Sequence, residues 1–120
     1  MGRSTLKMNN KNWTATALLF SGRRDIEWEL TPAQQKTWMI LWQQAPLSHT
    51  AVEIPSILGY KGCRLQHNEH SHWQLYSGCV SYYDKGTIFS KIDEERQMEM
   101  FLLGTALEEV KEVLREMKII

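Results

Sequence analysis

Three stretches of strand-forming sequence in the second half of the chain most constrain its fold. They cover residues 63–67, 72–83 and 87–89, and the second and third stretches are rich in aromatic and β-branched residues. The segments between them, residues 68–71 and 84–86, are short and polar and are typical of tight turns. Because short turns join antiparallel neighbours, we predict a three-stranded antiparallel meander here.

The flanking sequence predicts one further strand and two helices. In residues 13–20, threonine first alternates with alanine and the segment then becomes continuously apolar, which is typical of a strand. Thr31-Pro32 followed by Gln34 is a capping-box helix start, so a helix is expected from Pro32 to about Gln44. A stripe of apolar residues at three- and four-residue steps predicts a second, longer helix from Asp93 to about Met117.

The predicted fold class is α+β. Its core is a four-stranded, mainly antiparallel sheet in the order strand, helix, three-strand meander, helix, with both helices packed on one face. Residues 1–11 read as a flexible polar tail and residues 12–120 as a single domain, because 120 residues suit one hydrophobic core. We expect residues 23–29 to form a loop or a short edge strand. The two glycines in residues 59–62 are typical of a turn, but a plain lead-in to the next strand is the favoured interpretation.

Composition narrows the classes of partner. The net charge is zero, so no overall field attracts nucleic acid, and a nucleic-acid partner is not expected. No apolar run approaches the roughly 18 residues of a membrane span, and the first residues lack the apolar core of a secretory signal. We therefore predict a cytoplasmic protein with reduced thiols and no membrane association.

The first candidate site is a binding surface made of two segments. Two arginines follow Ser21-Gly22, and guanidinium groups suit carboxylates and phosphates. The alternative is a loop in which acidic residues neutralise these arginines and a tryptophan anchors the loop. The predicted binding residues are Arg23, Arg24, Asp25, Trp28, Tyr60, Lys61 and Arg64.

The second candidate site is a hairpin with cysteines and histidines, the side chains that zinc prefers. Its members are Cys63, His67, His70, His72 and Cys79. Their spacing matches no standard finger, and neighbouring strand residues face opposite sides of a sheet. The competing interpretation is two small thiols that pack in the protein and a solvent-exposed histidine turn.

The sequence lacks the G-x-S-x-G, Gly-rich phosphate-loop and H-E-x-x-H patterns of common catalytic families. The leading hypothesis is therefore a small non-catalytic binding, accessory or regulatory protein without a cofactor, which acts through a protein or anionic-ligand surface. A zinc-binding protein or a small enzyme that uses the hairpin is the alternative. We also expect the protein to bind a partner protein or a second copy of itself through the open face of the sheet.

Overall fold

A computed structural model of the chain describes residues 13–20, 25–53 and 59–120. The predicted tail, residues 1–11, lies outside the described residues, as do Arg23 and Arg24. The elements in chain order are β1 (Thr14–Phe20), β2 (Ile26–Glu29), α1 (Pro32–Gln44), β3 (Gly59–Asn68), β4 (Ser71–Tyr76), β5 (Cys79–Asp84), β6 (Thr87–Ile92), a short 3-10 helix (Glu94–Arg96), α2 (Gln97–Gly104) and α3 (Glu108–Glu116).

The described strands form one antiparallel sheet with the order β2-β1-β3-β4-β5-β6. The α+β class is as predicted, but the count of four strands and two helices is wrong, because the described residues contain six strands and three α-helices. One additional strand is β2, whose alternating residues pair with β1 at the edge of the sheet.

The other additional strand comes from a turn inside the segment predicted as one strand, residues 72–83. Ser77 and Gly78 both have positive φ, and they join β4 to β5 as a two-residue hairpin turn. Lys85 and Gly86 form the same kind of turn between β5 and β6, where the sequence predicted one. Ser-Gly is a dipeptide that is typical of turns, but here it lies inside a long run of strand-forming residues, which weakens its signal.

Residues 59–62 belong to β3, as the strand lead-in predicts, and they do not form the alternative turn. The register with β1 shifts between the pairs Ala17–Cys63 and Leu19–Tyr60, so β3 carries one extra residue, a β-bulge. Gly62 has a φ of 92°, and a Cβ at this position would overlap the carbonyl oxygen of Leu75. The bulge brings Tyr60 and Cys63 to the same face of the sheet, although they are three positions apart.

Helix α1 has the predicted bounds and the predicted capping box. The Thr31 hydroxyl accepts a hydrogen bond from the Gln34 N–H, and the Gln34 side chain accepts one from the Thr31 N–H. Trp38 is fully buried on the inner side of the helix. Ile40 on the same helix is 49% exposed.

The long C-terminal helix predicted for residues 93–117 is interrupted. Glu95 and Arg96 have positive φ within the 3-10 segment, and α2 ends at Gly104. Thr105 then donates its hydroxyl to the Leu102 carbonyl, and extended backbone at Leu107 separates α2 from α3. An apolar stripe indicates which residues face the core, but it does not reveal breaks of this kind between helical segments.

The helices and one face of the sheet enclose a common core. Trp38, Leu102 and Leu114 from the helices belong to the same buried cluster as the residues that alternate inward from the central strands. Around Trp73 lies an aromatic cluster, made up of Trp13, Trp38, Trp42, His67, Trp73 and Tyr82. No helix in the described part of the chain is long and apolar enough to cross a membrane.

Candidate functional site: a buried charged cluster and its cleft

A fully buried carboxylate lies at the start of α2, below the first half of β3. Glu99 has no exposed surface and pairs with Arg96 through two contacts. The Arg96 Nη2 lies 2.8 Å from Oε2 of Glu99, and its Nε lies 3.2 Å from Oε1. This two-point geometry fixes the guanidinium plane, while 43% of the Arg96 side chain remains exposed to solvent.

Tyr60 and Cys63 complete the cluster from the sheet side. The Tyr60 hydroxyl donates a hydrogen bond to Oε2 of Glu99, and the Cys63 sulfur lies 3.6 Å from the same hydroxyl. The bulge at Gly62 turns both side chains to the helix-covered face, where Tyr60 contacts Glu99 and Cys63 contacts Tyr60. We call Tyr60, Cys63, Asp93, Arg96 and Glu99 the charged cluster.

Asp93 connects the charged cluster to the start of α2. Its carboxylate accepts hydrogen bonds from the backbone N–H groups of Met98 at 2.7 Å and Glu99 at 3.0 Å. These groups belong to the first turn of α2, which would otherwise lack acceptors. The same contacts hold the turn that carries Arg96, so a single acidic side chain helps to place both members of the ion pair.

The electrostatics of the cluster favour neutral thiol and phenol groups. Burial raises the pKa of Tyr60 and the pKa of Cys63 far above neutral pH. The hydrogen bond to Glu99 raises the already high pKa of Arg96, and burial raises the pKa of Asp93 above its ordinary value of 3.8. A thiol that stays protonated is a poor nucleophile, so this arrangement is suited to holding a group in place.

A cleft of about 210 Å³ opens beside the ion pair. It is lined by Tyr60, Tyr76, Ser77, Arg96 and Glu99, so the turn between β4 and β5 forms one of its walls. The two contacts with Glu99 use Nε and Nη2 of Arg96 and leave Nη1 outside the pair. The cleft therefore combines a fixed cation with the side chains of Tyr76 and Ser77.

Among the described residues, the members of the first predicted binding set are spread over several parts of the fold. Tyr60 lines the cleft, whereas Trp28 is 5% exposed and donates its indole N–H to Thr105 at 2.8 Å. The Asp25 carboxylate accepts a hydrogen bond from the Leu19 N–H. Lys61 and Arg64 lie in β3, and Arg64, which is half-buried, pairs in register with Gln74 of β4.

The residues of the predicted zinc hairpin do not converge either. Cys63 is buried on the helix-covered face, whereas His72 stacks on Tyr83 and Cys79 contacts the Thr50 carbonyl. His67 lies in the aromatic cluster, and His70 is exposed in its turn. Within residues 13–20, 25–53 and 59–120, no three His, Cys, Asp or Glu side chains are placed to hold a metal ion.

Sequence reasoning missed Asp93, Arg96 and Glu99 as site residues. A signal for Glu99 exists, since it is a single acid within the apolar run from Met98 to Leu103. Charged residues are seldom fully buried unless they are paired, so an acid in such a run indicates a buried partner. The identity of that partner depends on the positive φ of Arg96, which the sequence does not indicate.

No protein-family model matches the chain. Searches of curated proteins and of solved structures also give no match.

Proposed function

We propose that the protein is a non-catalytic binding protein whose cleft holds a small anionic group on Arg96. The observation that carries this proposal is the fixed and partly exposed guanidinium at the cleft. Glu99 holds it at two points, and 43% of the side chain still faces solvent. An arginine oriented in advance loses little conformational freedom when it binds a ligand, which favours affinity.

The chemistry of the neighbouring groups supports binding over catalysis. A nucleophile or general base needs a pKa near the working pH, or a base beside it. In the charged cluster, the pKa values of Tyr60 and Cys63 are raised by burial, away from neutral pH. The proposal keeps the anionic-ligand hypothesis of the sequence and moves its centre from Arg23 and Arg24 to Arg96.

The test is an NMR titration of the Arg96 Nε–Hε signal with sodium acetate and with inorganic phosphate at constant ionic strength. We expect a saturable shift with at least one of these anions, with a Kd of about 1 mM, since ligands of so few atoms have limited affinity. The control is the double variant Arg96→Met/Glu99→Gln, followed through the backbone amide of Ser77. If neither anion shifts the wild-type signals beyond a sodium chloride blank, the proposal is wrong.

We propose a second interaction, self-association through the edge strand β6. Ile88 and Phe89 are 50% and 53% exposed on this strand, and Leu47 beside it is 77% exposed. Within the described residues, Pro46 and Ser48 bond to the backbone of one end of β6, and no hydrogen bond reaches Ile88 from the free side. An exposed antiparallel edge can pair with a second copy of itself about a twofold axis.

Sedimentation velocity over a concentration series tests the self-association. We expect the weight-average mass to rise with protein concentration, and Ile88→Lys to abolish the rise by placing like charges at the paired edges. Leu107→Lys is the matched control, since Leu107 is 63% exposed on the segment before α3, away from the sheet edge. A wild-type mass that stays monomeric up to about 1 mM rules this interaction out.

We also propose that the protein is located in the cytoplasm. Both cysteines are free thiols in the structure. They lie on different faces of the sheet, so they are not placed to form a disulfide bond with each other. The compartment can be tested by measuring the localisation of the tagged protein in its cell of origin. Exclusive recovery from an oxidising compartment would contradict the proposal.

A further inference from the structure

The inference concerns the kind of anion that the cleft accepts, and it rests on the function proposed above. We infer that the cleft selects a singly charged carboxylate over a doubly charged phosphate. Three observations carry it: the balance of charge around Arg96, the occupied N–H groups of α2 and the size of the cleft.

The balance of charge limits the charge of the ligand. Arg96 is the cation of the charged cluster, and its charge is matched by that of Glu99 at 2.8 Å. Asp93, buried next to them, adds a second carboxyl group, while Tyr60 and Cys63 contribute no positive charge. A dianion in the cleft would therefore meet more repulsion than a monoanion, at distances where water screens charges poorly.

The backbone groups that usually hold phosphate are not free in this site. Phosphates in proteins commonly bind to the exposed N–H groups at a helix N-terminus or in a glycine-rich loop. In α2, the N–H groups of Met98 and Glu99 already donate to the carboxylate of Asp93. A tetrahedral phosphate would find one guanidinium edge in the cleft, whereas a planar carboxylate needs only such an edge.

The size of the cleft limits the rest of the ligand. Its volume of about 210 Å³ corresponds to about seven water molecules, taking roughly 30 Å³ for each. Pockets for drug-sized ligands and cofactors measure about 300–1,000 Å³. A carboxylate on a short chain fits this space, and the chain can belong to a free small acid or to the side chain of a peptide.

Competition titrations on the intact chain test the inference. The probes are acetate, N-acetylglutamate α-amide as a peptide-like carboxylate, and inorganic phosphate at pH 8, where most of it is a dianion. Ionic strength is kept constant, and the Nε–Hε signal of Arg96 is followed by NMR. We expect acetate or the blocked glutamate to bind at least fivefold more tightly than phosphate.

The outcomes separate the inference from the function on which it rests. Tighter binding of acetate supports a small acid as the ligand, and tighter binding of the blocked glutamate supports a peptide side chain. Phosphate binding that equals or exceeds that of both carboxylates overturns the inference and leaves the anion-binding function intact. If no probe binds, the anion-binding function itself is lost.

The variant Asp93→Asn gives a second and independent measurement. Asparagine keeps one acceptor for the N–H groups of α2 and removes the carboxylate charge. We expect phosphate affinity to rise at least threefold relative to acetate affinity, and an unchanged ratio would contradict the role of charge. If this variant does not fold, the wild-type protein can be titrated at pH 5.5, where phosphate is a monoanion. The preference for acetate over phosphate should then be smaller than at pH 8.

Discussion

The helix-covered face of the sheet carries two clusters that lie towards opposite ends of β3. His67, near one end of the strand, belongs to the aromatic cluster, and Tyr60, near the other, belongs to the charged cluster. Trp73 is 1% exposed at the centre of the first, and Glu99 is fully buried at the centre of the second. Both ends of β3 therefore lie against a fully buried side chain. At one end it is held by packing between aromatic rings, and at the other by pairing of charged groups.

We propose that this difference separates stability from function. The aromatic cluster gains free energy from burying large apolar area and, within the described residues, leaves the indole N–H groups of Trp38 and Trp73 without partners. The charged cluster requires the desolvation of a carboxylate, which ion pairing only partly offsets. Costly arrangements of this kind occur at functional sites, and we therefore propose that the first cluster supplies stability and the second one binding.

The largest effect on the free energy of unfolding is expected from Trp73→Ala. Trp73 contacts five other rings, with centroid distances from 4.6 to 6.1 Å. Its removal leaves a cavity among these rings and should lower the free energy of unfolding by about 3–5 kcal/mol. Urea denaturation measures the loss, and Trp73→Phe should recover at least half of it. A loss below about 1 kcal/mol would show that the aromatic cluster is not the main source of stability.

The next largest effect on the free energy of unfolding is expected at the ion pair, where the two partners should differ in the cost of their removal. Arg96→Met leaves Glu99 buried without its cation, and we expect a loss of about 3 kcal/mol in the free energy of unfolding. Glu99→Gln leaves Arg96 partly exposed and able to meet water, and it should cost only about 1 kcal/mol. The same denaturation measurement compares the two variants, and equal costs would be inconsistent with the burial difference between the partners.

The smallest effect is the dependence of stability on pH at the aromatic end. Burial lowers the pKa of His67 below its ordinary value of 6.5, so the folded state binds this proton less readily than the unfolded chain. The stabilising contribution is therefore complete above pH 6.5 and is lost as the pH falls through the lowered pKa. Burial also lowers the pKa of His72, whereas the raised pKa of Asp93 acts in the opposite direction.

The difference between wild type and His67→Phe isolates this contribution. Free energies of unfolding at pH 7.5 and pH 5.0 should show a larger loss on acidification for the wild type than for the variant, because the other titrating groups are common to both. An equal loss would mean that His67 does not contribute to the pH dependence.

The two clusters also differ in how far the sequence predicts them. Local signals predict α1, because Thr31, Pro32 and Gln34 define its start, and short polar segments predict two of the hairpin turns. The split of residues 72–83 depends on positive φ at Ser77, and the charged cluster depends on a bulge at Gly62 and on positive φ at Arg96. Periodicity and propensity do not report these backbone conformations.

The double variant Arg96→Met/Glu99→Gln tests the separation of stability and binding most directly. It removes both charges, while the introduced glutamine can still accept the hydrogen bond from Tyr60 and the introduced methionine retains an apolar stem. The free energy of unfolding should stay within about 1 kcal/mol of the wild-type value, since replacing a buried ion pair is often neutral, and acetate binding should disappear. A loss of about 3 kcal/mol or more, with acetate binding retained, would contradict the assignment of stability to one cluster and binding to the other.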